Sequence, residues 1–164
     1  MNPEKNLVLE RLSAARVLQP RAETPALRWK PPLASQEHLA MLRAYQRSGG
    51  LVSCDQAAML LGRHRDQPIS VLARWIVARA LVSFVWQSET LVPLFQFELV
   101  DMSLRRGVSE VIAELVGAFE DLELAAWFTR PNCWLADAAP LAVLETDQPA
   151  VLQAARADRY LARG

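Results

Sequence analysis

Thiol and imidazole groups are scarce in this 164-residue chain: Cys54, Cys133, His38 and His64 are all it has. The two cysteines stand in separate halves without C-x-x-C or Cys/His ligand spacing, so neither a disulfide nor a metal site is expected. Neither histidine stands with a serine, cysteine or carboxylate at a spacing that marks a triad. There is no glycine-rich phosphate loop and no dinucleotide fingerprint, and no cofactor is expected. The mostly apolar runs, 81–86 and 122–128, are far shorter than the roughly 20 residues a membrane-crossing helix needs. The first residues carry Glu10, Arg11 and Arg16 where a signal peptide would have an apolar core, so a cytoplasmic protein is expected. Together these absences speak against an enzyme and against a membrane protein.

What is present is an apolar and well-mixed composition, 52% hydrophobic and 22% charged, enough for one globular domain or two small ones. Net charge is zero but unevenly spread. Residues 1–106 hold 14 Lys and Arg against 9 Asp and Glu, while residues 107–164 hold 4 against 9. Two halves of opposite sign either face different partners, the basic one suited to phosphate, or attract one another.

Residues 1–34 combine a short helical pattern over 6–17 with Pro20, Pro25, Pro31 and Pro32, which favour extended chain and read as an arm. Ser35 is the expected cap of a helix with Leu39, Leu42 and Tyr45 on one stripe, ending at Gly49-Gly50. Ser53 with Gln56 makes a capping box for a second helix through Ala57, Leu60 and Leu61, stopped by Gly62. A third helix is expected from Gln67 or Pro68 to about Ala80. Alternation over 82–86, an interruption at Ser88-Glu89-Thr90 and a second run over 91–97 predict a hairpin, with Pro93 confining its second strand to an edge. Ser109 is the expected cap of a helix through Val111, Ile112, Leu115, Val116 and Phe119. Three more helices are expected: over 122–128, from Pro140, and over 149–161, the last with Val151, Leu152, Ala155 and Tyr160 inward. The fold class is therefore mainly α. A helix-turn-helix-like region with a β-hairpin wing occupies 35–104, and a helical bundle occupies 105–164.

The basic constellation is Arg63, His64, Arg65 and Gln67 at the turn before the third helix, with Arg74 and Arg79 on it. Arginine suits DNA because its fork can grip a guanine edge or a phosphate. From residue 43 to 79 six arginines face only Asp55 and Asp66. The bland reading of the same residues is a solvated helical face.

In the acidic half, the run Trp127-Phe128-Thr129-Arg130-Pro131-Asn132-Cys133-Trp134-Leu135 is followed by Pro140-Leu141, Leu144, a terminal helix and Gly164. Pro131 ends a helix, Asn132 can bond its own backbone in an Asx-type turn, and Leu135 can return to the core. This pattern resembles the C-terminal toxin-binding domain of the Xre/MbcA/ParS antitoxin family over about the last 55 residues. The resemblance implies an antitoxin that masks a toxin of the RES kind, which consumes NAD or transfers from it, and that regulates its own operator. It also implies Trp127, Asn132, Trp134, Arg156, Arg159, Tyr160, Arg163 and Gly164 as toxin-binding positions. Family members usually carry a Cro/repressor-like N-terminal part, and the wing-like strands here depart from that.

Two further patterns have bland explanations. Phe95-Gln96-Phe97 could stack on bases but reads more simply as a packed strand. Glu110 and Glu114, at i and i+4, resemble a carboxylate pair but suit a solvated helix face. The expected partners are thus a cognate toxin, operator DNA and a second copy in a homodimer. The rival readings are a stand-alone helix-turn-helix regulator, whose C-terminal half dimerises or senses a ligand, and a fragment of a hydrolase or transferase.

Overall fold

The structure, a computed structural model, describes residues 33–164. The helix expected over 6–17, and all but the last two residues of the expected arm, lie outside them. Helix α1 spans Leu33–Arg47, so it opens two residues before Ser35, the expected cap. It ends where Gly49 and Gly50 adopt φ of 102° and 116°, a left-handed turn that side chains resist. Strand β1, Leu51–Ser53, follows at once, and Ser53 caps α2, Cys54–Leu61, through a complete capping box with Gln56. Helix α3 spans Pro68–Val77, with proline in its first turn.

Strands β2, Phe84–Trp86, and β3, Glu89–Pro93, form the expected hairpin, but its two-residue turn is Gln87-Ser88, both at positive φ. The sheet order is β1-β3-β2. β3 is therefore the central strand, which corrects the expectation that Pro93 holds it at an edge. Pro93 is tolerated because it is the last residue of the strand, opposite Leu51, where the ladder ends. The chain then turns into a 3-10 helix, Leu94–Gln96, so Phe95-Gln96-Phe97 is not a strand.

Helix α4, Arg106–Leu115, starts three residues before Ser109, with Arg105 at its cap position. Helix α5, Asp121–Thr129, opens on a capping box between Glu120 and Glu123 and stops before Pro131. A 3-10 turn, Cys133–Leu135, leads to the short α6, Pro140–Val143, and to α7, Gln148–Arg163. The architecture of the described residues is thus mainly helical with a small three-stranded antiparallel sheet.

Two apolar clusters hold it together. One is drawn from 57–102 alone and joins α2 and α3 to the sheet through Ala57, Leu61, Leu72, Leu81, Val92 and Phe97. The other crosses residue 104, the expected domain boundary: Met41, Tyr45, Phe84 and Phe95 pack with Val111, Leu115, Phe128 and Val151. Tyr45 is fully buried there, and its hydroxyl donates to Ala125 O at 2.6 Å. Burial pushes this phenol's pKa well above its ordinary value. The described residues, 33–164, accordingly form one compact unit.

Candidate functional site

The acidic half converges on one carboxylate. Pro131 ends α5, and Asn132 Oδ1 accepts from Trp134 N at 2.9 Å, the Asx-type turn that opens the 3-10 helix. Asn132 Nδ2 then donates to Asp158 Oδ2 at 2.7 Å. Trp127 Nε1 donates to the same oxygen at 2.7 Å, and Trp134 Nε1 donates to Oδ1 at 2.9 Å. Three side chains from α5 and the following turn are therefore tied to α7 by charge-assisted bonds. Asp158 is not among the candidate residues that the sequence offers. Its signal was there: Val151, Ala154 and Ala155 are the buried stripe of α7, and Asp158 is the next position on it.

The expected toxin-facing residues separate accordingly. Trp127 and Asn132 are buried. Trp134 is 55% exposed and Tyr160 is 79% exposed, so Tyr160 faces outward and not toward the core as the period suggested. Leu161, one turn beyond Asp158, is also exposed. Arg156 and Arg159 both bond Glu114 of α4, Arg156 Nε at 2.9 Å, and these bonds and charges hold the Glu114 carboxyl below the usual range. The Arg163 guanidinium lies over Gly117, where a Cβ would meet it at 2.5 Å. Gly164 is exposed at the end of α7.

In the basic half, Arg63, His64, Arg65 and Gln67 are all exposed in the turn joining α2 to α3. Gln67 takes φ 52° at the cap of α3, and its side chain makes no capping bond. Arg65 lies over the Trp75 ring, 5.6 Å from its centroid. Asp101 is near enough that Arg65 and His64 add to the bonds from Ser103 in lowering its pKa. Arg74 is exposed on α3.

Arg79 stands apart from this set. It follows α3 at φ 50°, and its guanidinium donates to Val116 O at 2.5 Å, Phe119 O at 2.6 Å and Asp121 Oδ1 at 2.8 Å. It satisfies two carbonyls in the turn after α4 and binds the start of α5, which leaves little of it for DNA.

Glu110 and Glu114 each pair with arginine, Glu110 with Arg106 at 3.0 Å. Among the described residues no three or more His, Cys, Asp or Glu gather as metal ligands. No helix among them is long and apolar enough to cross a membrane. A cleft of about 580 Å³ opens between 94–100 and α6, floored by Phe95, Phe97, Leu141 and Leu144. On its rim Arg105 bonds Glu145, which lowers that carboxyl's pKa. Comparison with known proteins yields no matching family model, curated relative or solved structure.

Proposed function

We propose that the chain acts by stoichiometric binding, as an antitoxin: residues 105–164 dock a partner toxin of the RES kind, and residues 35–104 contact operator DNA. The observation that carries this reading is the Asp158 carboxylate with its three N–H donors. A surface that masks another protein gains affinity when it is ordered before contact. Asp158 supplies that order by fixing Trp134 to the end of α7, while Trp134, Tyr160 and Leu161 stay outward as aromatic and apolar anchors. Trp127 and Asn132 support the surface from beneath it. Arg156, Arg159, Arg163 and Gly164 belong to the same helix end.

The helix, strand, helix, helix, hairpin order of 33–93 suits a winged helix-turn-helix, with Arg63, His64, Arg65, Gln67 and Arg74 as its outward polar groups. A cytoplasmic homodimer on paired half-sites fits the same reading. A second reading is favoured by the apolar cleft at α6: a stand-alone regulator whose C-terminal half senses a small ligand.

The deciding experiment coexpresses the full chain with the toxin encoded beside it and scores growth. The wild-type chain should rescue growth and copurify with the toxin. Trp134→Ala combined with loss of residues 160–164 should do neither. Full rescue by that variant would remove the docking face, and DNA binding by a wild-type chain that ignores the toxin would favour the second reading.

A further inference from the structure

Helix α3 turns Leu72 inward, half-buries Val71, Trp75 and Ile76, and leaves Ile69, Ser70, Ala73, Arg74 and Val77 outward. The outward set is unusual in water. Ile69 is 73% exposed and Val77 is 84% exposed, yet both are branched aliphatics on a well-formed helix. With Ala73 between them they form one row at i, i+4 and i+8, about 12 Å long. A single long hydrogen-bonding group, Arg74, stands beside that row.

We propose that this face reads thymine-rich duplex DNA, with Ile69 and Val77 against thymine methyl groups and Arg74 on a guanine between them. The proposal rests on the DNA-contact reading above and names the kind of sequence contacted. The major groove admits a helix, and the only apolar group on its floor is the C5-methyl of thymine. An aliphatic row laid in that groove therefore has one base partner. At about 3.4 Å per base pair, a row of about 12 Å sets the two methyls three to four base pairs apart. Arg74 matches guanine O6 and N7 in a bidentate grip, and the exposed Arg63 and Arg65 at the helix start match the flanking phosphates. Asp66 and Asp101 lie beside these arginines, so the ionic share of binding is small. With two guanidinium groups on phosphates, the slope of log affinity against log salt should be about −2 per copy.

The test enriches duplexes from a pool randomised over two helical turns, using the full chain. The winner is then resynthesised with uracil for every thymine, which deletes only the methyl groups. The uracil duplex should bind roughly three- to fivefold more weakly for each contacted methyl. Ile69→Ala with Val77→Ala should erase the difference between the duplexes, whereas Arg74→Ala should weaken both. Equal binding of thymine and uracil duplexes by the wild-type chain would overturn the methyl readout and leave DNA contact standing. Failure to enrich any duplex would remove both. In that case, a fall from dimer to monomer on Ile69→Ala with Val77→Ala would assign the face to a second copy of the chain.

Discussion

Trp127 and Asp158 meet across 31 residues, the indole N–H of α5 donating to the carboxylate of α7 at 2.7 Å. The same oxygen also holds Asn132, and its twin holds Trp134. Asp158→Asn keeps a single acceptor oxygen for three donors, and two of those donors belong to buried residues. An unpaired buried donor costs about 1–3 kcal/mol, so the variant should melt several degrees lower, with altered tryptophan fluorescence. An unchanged melting temperature would mean that the three bonds contribute nothing to the fold.

Arg79 should prove a structural residue. Its planar fork satisfies two carbonyls in the turn between α4 and α5 and one carboxylate at the start of α5, a geometry that a lysine ammonium cannot reproduce. Arg79→Ala should cost about 1–2 kcal/mol, and Arg79→Lys should recover little of it in urea melts. Retention of DNA should be nearly unchanged in both variants, in contrast to Arg63→Ala with Arg65→Ala. Should Arg79→Lys melt like the wild type, the fork is not what the joint requires.

These two residues also mark where sequence reading reaches its limit. Features set by neighbours in the chain were legible: the Ser53–Gln56 capping box, the Gly49-Gly50 turn, Pro68 in the first turn of α3, Pro131 after α5, and the Asx turn at Asn132. Each depends on contacts within four residues. β1 was not legible, because three residues, Leu51–Ser53, become a strand only by pairing with β3 some 40 positions on. That missed strand is also why Pro93 was assigned to an edge. The partners of Arg79 and Asp158 lie 24 to 42 residues away, and no periodicity points to them. The family resemblance brings Trp127, Asn132 and Trp134 together, but not the acid that joins them.

Gln96 is the polar residue that ties the segment before β2 to the end of β3. It is 1% exposed, with Oε1 accepting from Val82 N at 2.7 Å and Nε2 donating to Val82 O and Pro93 O, each at 2.9 Å. The amide both gives and accepts while staying neutral at every pH. Gln96→Leu should be among the most damaging single changes, about 3 kcal/mol or more, because three backbone groups lose their partner without gaining water. Equilibrium unfolding would measure it, and a loss under 1 kcal/mol would show that the site relaxes to find other partners.

The arginine-bound carboxylates Glu114 and Glu145 should make the fold lose stability in acid. Glu114 is held below its ordinary pKa first by the bond from Arg156 and further by the charges of Arg159 and Arg156. Glu145 is lowered mainly by its bond from Arg105. A group whose pKa is lower folded than unfolded contributes fully above its unfolded value, near 4.3 for glutamate, and loses that contribution as pH falls through the folded value. The urea midpoint should therefore hold steady near neutrality and decline once pH drops below about 4.3. Glu114→Gln should lower the neutral plateau and flatten the acid decline together, because the variant has no proton to take up there. A Glu114→Gln profile parallel to that of the wild type would place the acid limit elsewhere, with Glu145 the next carboxylate to replace.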